Sequence, residues 1–121
     1  MTEIYRQKNM APDVLLGRID EQGRIYRSEF GPDDYIGHIE SASGRIFRSQ
    51  FGPDEYVGRV DLTNGRLYRQ VALAPDAYVG RVDSDGRIYR QVPLAPDDYT
   101  GKLTGMKSFA DAGAALLLLL S

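Results

Sequence analysis

The chain contains no cysteine and a single histidine, and its net charge is only -2 across 121 residues. Without cysteine there is no disulfide framework, no thiol nucleophile and no cysteine-held metal, which fits a reducing cytoplasm as the expected location. His38 alone builds no metal cluster, and it fills a slot that carries arginine or lysine in the other copies of a repeat, so it reads as a surface substitution. The glycines are dispersed one per strand or turn, leaving no Gly-rich phosphate loop. A slightly acidic balance lacks the basic excess of a general nucleic-acid binder. Residues 1–8 hold Glu3, Arg6 and Lys8 and no apolar stretch, so a cleaved secretory signal is not expected. No cofactor is expected either.

What is present is repetition. Arg6, Arg27, Arg48, Arg69 and Arg90 recur at intervals of 21 residues, each closing a Gly-Arg-Ile-Tyr-Arg-like element. A fixed period of this size marks one supersecondary unit copied along the chain. A second element, Pro-Asp-x-Tyr-x-Gly, alternates with the first at 32–37, 53–58, 75–80 and 96–101, and a weaker copy at 12–17 has Leu15 for the tyrosine. Short polar turns ending in Gly23, Gly44, Gly65 and Gly86 join the two elements, so each unit is a β-hairpin with its closing glycine at positive φ. Proline-bearing segments link one hairpin to the next, where no ladder hydrogen bond is needed. Asp83-Ser84-Asp85-Gly86 has only a faint likeness to a calcium loop and reads as one of these turns.

The two ends do not match. Residues 3–6 form a second strand with no first strand before it, and residues 98–104 form a first strand with no second after it. Pairing them completes a fifth hairpin and removes the free edges. The predicted fold is all-β: a closed antiparallel barrel of about ten short strands in five pseudosymmetric hairpins over residues 3–104, followed by an apolar C-terminal helix within 105–121, the whole forming one domain. In hairpin count and circular closure this pattern resembles the β-flower proteins, shallow pseudosymmetric barrels similar to the Tubby C-terminal and scramblase folds. That resemblance implies strands around a hydrophobic helix and a lipid-binding theme, and it carries over no individual lipid-contacting residue.

Period-two alternation sorts the faces. One side carries Ile19, Ile39, Val60, Val82 and Leu103, with Ile4, Ile25, Ile46, Leu67 and Ile88, and is the expected interior. Gly17, Gly37, Gly58, Gly80 and Gly101 ring the same side, which points to tight bending or a close approach by another group. The same alternation directs Arg6, Arg27, Arg48, Arg69 and Arg90 inward or toward one mouth. Equal numbers predict that they pair with Asp13, Asp33, Asp54, Asp76 and Asp97 of the links, since unpaired guanidiniums are not buried. The functional alternative is a ring that accepts an anion such as a phosphate-bearing head group. Tyr35, Tyr56, Tyr78 and Tyr99 are candidate ligand-lining residues at that mouth, against the plainer reading of sheet packing.

Beyond Thr104 the pattern breaks into an Ala- and Leu-rich tail ending in five leucines, Leu116 to Leu120. A helix over about 108–120 is expected, with Ser108 as N-cap and Asp111 three residues on in a capping-box arrangement. Apolar all round and shorter than the roughly 20 residues of a bilayer span, it has three destinations: the barrel lumen, a membrane interface, or the tail of a second copy. The lumen is favoured, with the small Ala and Gly positions facing the glycine ring.

Catalysis is not expected, because each carboxylate has repeat-equivalent copies whereas active sites break symmetry. The reading is a non-enzymatic binding or interaction module associated with anionic lipid or a membrane surface through its basic ring and tail. The alternative is a structural scaffold or protein-partner domain whose C-terminal helix is its core.

Overall fold

Hairpin turns and proline links alternate along the chain, and in the computed structural model, which describes residues 1–8, 10–28 and 31–120, they connect ten antiparallel strands. These are β1 (Thr2–Arg6), β2 (Val14–Ile19), β3 (Arg24–Arg27), β4 (Asp34–Glu40) and β5 (Arg45–Arg48). They continue with β6 (Glu55–Val60), β7 (Arg66–Arg69), β8 (Ala77–Val82), β9 (Arg87–Arg90) and β10 (Asp98–Thr104). Each strand pairs with its sequence neighbours, and β1 pairs with β10, so the barrel is closed. Ile4 opposite Leu103 in that last pair repeats Ile25 opposite Ile19 in the first hairpin, so the chain termini build a fifth hairpin equivalent to the rest. Gly23, Gly44, Gly65 and Gly86 take φ of 76° to 89° at the turns, the conformation that side chains resist.

One irregularity recurs at every junction between hairpins. The register slips beside Leu16, Ile36, Val57, Val79 and Thr100, each an extra residue immediately before a ring glycine. Such bulges bend a strand and increase its twist, which a barrel this narrow requires. Gly17, Gly37, Gly58, Gly80 and Gly101 follow the bulges and face inward.

The tail fills the lumen. Helix α1 (Ala110–Ala114) runs into a π-helical segment, Ala115–Leu119, and residues 110–120 are all buried. The two rings of Ile, Val and Leu on the strands are buried with them, as their alternation predicts. The fit inverts one expectation: the leucines, not the small residues, meet the glycine ring. Leu116 packs at Gly80, Leu117 at Gly58, Leu118 at Gly37, Leu119 at Gly17 and Leu120 at Gly101. The small residues lie where the large strand side chains converge; a Cβ on Gly113 would come within 3.0 Å of Ile46 Cγ1. Consecutive leucines therefore touch consecutive hairpins. An α-helix turns about 100° per residue, while one residue per hairpin of a five-fold ring needs about 72°, and the wider i→i+5 winding moves toward that figure. The bond from Leu120 N–H to the Ala115 carbonyl, 2.8 Å, is of this wide type.

The helix start also differs from the expected capping box. Ser108 Oγ accepts from Ala110 N–H at 3.2 Å, but Asp111 reaches Lys107 N–H at 2.9 Å instead of Ser108, and it also accepts from Thr2 Oγ1 at 3.1 Å. Asp111 thereby ties the helix entrance to β1.

Candidate binding face: the arginine-ringed mouth

The helix enters among the hairpin turns and ends among the links, so the two mouths of the barrel differ in chemistry. At the link mouth Arg6, Arg27, Arg48, Arg69 and Arg90 end their strands one position beyond the outward-facing aromatic. Alternation returns their side chains to the inner face just past the apolar core, over the last turn of the helix. A helix C-terminus presents unpaired carbonyls and a partial negative charge, which cations stabilise. Arg6 donates to the Leu119 carbonyl and Arg27 to that of Leu118, both at a long 3.5 Å, and Arg90 donates to that of Leu120. A leucine-rich helix and an arginine ring thus share one lumen end, because the helix offers its backbone there.

The expected pairing of these arginines with the link aspartates is wrong. The aspartates lie on the outer face and bind the residue one position after each ring glycine, one hairpin back: Arg18, His38, Arg59, Arg81 or Lys102. The pairs are Arg18 with Asp33 at 2.9 Å, His38 with Asp54 at 3.0 Å, and Arg59 with Asp76 at 3.3 Å. Arg81 with Asp97 at 3.2 Å and Lys102 with Asp13 at 3.3 Å complete the circle. Stoichiometry is equal for either cation ring; the face decides. These outer side chains also lie over aromatics, with Arg59 4.3 Å from the Tyr68 ring, Arg81 4.2 Å from Tyr89, and the His38 ring stacked on Phe47 at 4.9 Å. His38 occupies the cation slot of this outer girdle, with its Nδ1 3.0 Å from Asp54.

Among the described residues the mouth arginines have little countercharge. Among the described residues only Arg48 of the five has a carboxylate within pairing distance, Glu55 at 3.5 Å. Arg69 and Arg6 face Ala77 and Val14 across the ladder, where Arg27 and Arg90 face Asp34 and Asp98. Burial, and then repulsion by Arg48 and Arg90, lowers the pKa of Arg69 from its usual value.

Crevices open between neighbouring guanidiniums. One of about 340 Å³ lies between Arg69 and Arg90, with Leu116 at its floor and Tyr78 and Gln91 in its wall. Another of about 280 Å³ separates Arg27 from Arg48 over Leu118, walled by Tyr35, Ser49 and the acidic Asp34. A smaller one of about 140 Å³ lies between Arg48 and Arg69 beside Tyr56. Tyr35, Tyr56 and Tyr78 therefore border these crevices, while each packs against Tyr26, Phe47 or Tyr68. Tyr99 packs on Tyr89 at 5.7 Å and lines none of these crevices.

Tyr56 differs from its equivalents because its hydroxyl donates to Asp76 at 2.9 Å. Burial, then that bond and the Asp76 charge, pushes its pKa up to about 12. The fold favours the neutral phenol, so this contribution to stability is complete below an ordinary tyrosine pKa of about 10 and is lost as pH rises through the folded value. Tyr56→Phe is expected to remove the most alkaline phase of a tyrosinate absorbance titration. It should cost about 1 kcal/mol in urea denaturation.

Among the described residues no group of His, Asp and Glu is placed to hold a metal ion, and no helix is long and apolar enough to cross a membrane. Comparison with protein-family models, curated proteins and solved structures found no match.

Proposed function

We propose that the protein is a non-enzymatic binding module whose arginine-ringed mouth docks on anionic lipid at a membrane surface. The observation that carries this reading is the gathering of five symmetry-related guanidiniums at one mouth while the link aspartates are engaged elsewhere. Guanidinium forks match phosphate oxygens in charge and geometry, and the crevice between Arg69 and Arg90, whose lining holds no carboxylate, gives such a group a place to sit. The tail drops out of the binding role, because residues 110–120 are buried in their own barrel and offer no surface to a bilayer or a second tail.

Co-sedimentation with vesicles tests the reading. Binding to equimolar phosphatidylcholine and phosphatidylserine, weakened by salt and absent on phosphatidylcholine alone, is expected. Each basic side chain near an anionic surface is worth about 1 kcal/mol, so the double variant Arg27→Gln/Arg69→Gln should partition about 30-fold more weakly. The scaffold reading has its own support in the buried helix, which makes the tail a core element. Absence of binding to both vesicle types would leave that reading and remove the lipid one.

A further inference from the structure

Links that follow the arginines carry large apolar residues that stand fully exposed. Met10, Phe51, Leu73 and Leu94 have relative exposures of 106%, 106%, 108% and 108%. Phe30 occupies the same repeat slot in the sequence and lies outside the described residues. Isolated exposed leucines are unremarkable; the same apolar class at the tips of the four links described there is not a scatter. In three links the backbone is even strained to present them: Met10, Leu73 and Leu94 sit at φ of 57° to 58°, a left-handed conformation in which glycine or asparagine is favoured. In the Phe51 link the positive φ passes to Gly52, at 93°, and the apolar side chain still takes the tip. Two turn solutions converge on one surface.

Each tip follows its arginine by three or four residues, so apolar points alternate with cationic crevices around the mouth. A second copy is a poor partner for this face, because two arginine rings would then oppose each other. A soluble phosphate has no use for the apolar tips. An anionic bilayer satisfies both features, since apolar side chains enter the boundary between headgroups and acyl chains while cations stay at phosphate depth. Resting on the membrane reading above, we propose that Met10, Phe51, Leu73 and Leu94 insert into the headgroup–acyl boundary of an anionic bilayer, with the arginine ring seated on lipid phosphates.

The chain has no tryptophan, so Phe51→Trp supplies a single reporter at a tip that needs no unusual φ. With equimolar phosphatidylcholine/phosphatidylserine vesicles, its emission should shift to the blue and be quenched by lipids brominated in the acyl chain. The variant Met10→Asn/Leu73→Asn/Leu94→Asn tolerates the left-handed backbone, so its melting temperature should be unchanged or higher. Its partition onto the same vesicles should fall at least tenfold, and what remains should be fully removed by high salt. Unshifted emission on vesicles that bind the protein would overturn insertion and leave the arginine reading standing, as would undiminished binding by the triple variant. Failure of the unmodified chain to bind any vesicle overturns both. Self-association in sedimentation velocity without lipid, lost in the triple variant, would assign the tips to a second copy and overturn the proposal.

Discussion

Deleting residues 108–121 is expected to leave no cooperatively folded barrel. The deletion removes five buried leucines, Leu116 to Leu120, together with four buried alanines. At roughly 1.5–3 kcal/mol for each fully buried leucine, the leucines alone supply about 10 kcal/mol, against a total stability of about 5–15 kcal/mol for an ordinary domain. The loss is larger than the side chains themselves, because the strand rings from Ile4 to Leu103 would then line an empty lumen. A closed ladder cannot collapse onto such a void without breaking its hydrogen bonds, so relaxation recovers little. The measurement is a thermal or urea melt followed by circular dichroism, with dye binding to report exposed apolar surface. A soluble truncation that melts cooperatively would show that the sheet stands alone and that the helix is a guest.

Which parts of this molecule were legible in its sequence follows a physical rule: local alternation and end-matching are one-dimensional, while direction and winding are not. Closure could be read from an unpaired second strand at residues 3–6 and an unpaired first strand at 98–104. The interior could be read from Ile19 and Ile25 on one face, and the glycine ring signalled a close approach before its occupant was known. The partner of the link aspartates could not, because two cation rings of equal number compete and only the bulge beside each junction decides which face an aspartate reaches. The match of leucine to glycine was missed for a related reason. Assigning small residues to the tight ring assumes an ordinary α-helix, and the tail is wound to the symmetry of the barrel instead. The apolar link tips left a signal that went unread: Met10, Phe51, Leu73 and Leu94 each stand two residues before a proline, where a turn is better served by small polar residues. Their meaning lies in exposure, which periodicity does not report.

Gly58→Ala should be among the most damaging single-methyl additions in the chain. The new Cβ would overlap the Tyr68 carbonyl oxygen of the neighbouring strand and lie 2.6 Å from Leu117 Cδ1. Leu117 is fully buried, with no solvent side to retreat to. Overpacking a tight core costs about 1–3 kcal/mol, and the conflict with a ladder carbonyl places this site at the upper end, a fall in melting temperature of about 10 °C or more. The two obstacles can be separated. Leu117→Ala alone should cost about 2–5 kcal/mol through its cavity. If the leucine were the main obstacle, the double variant Gly58→Ala/Leu117→Ala would be no less stable than Leu117→Ala. The carbonyl belongs to the backbone and stays in place, so the double variant is expected to remain clearly less stable, with a coupling of about 1 kcal/mol in urea denaturation marking the part owed to the side chain. Full rescue would mean that the helix alone demands the glycine. The expected partial rescue assigns the first demand to the bulged sheet, whose bend brings the strands together and opens the ring that the leucines then fill.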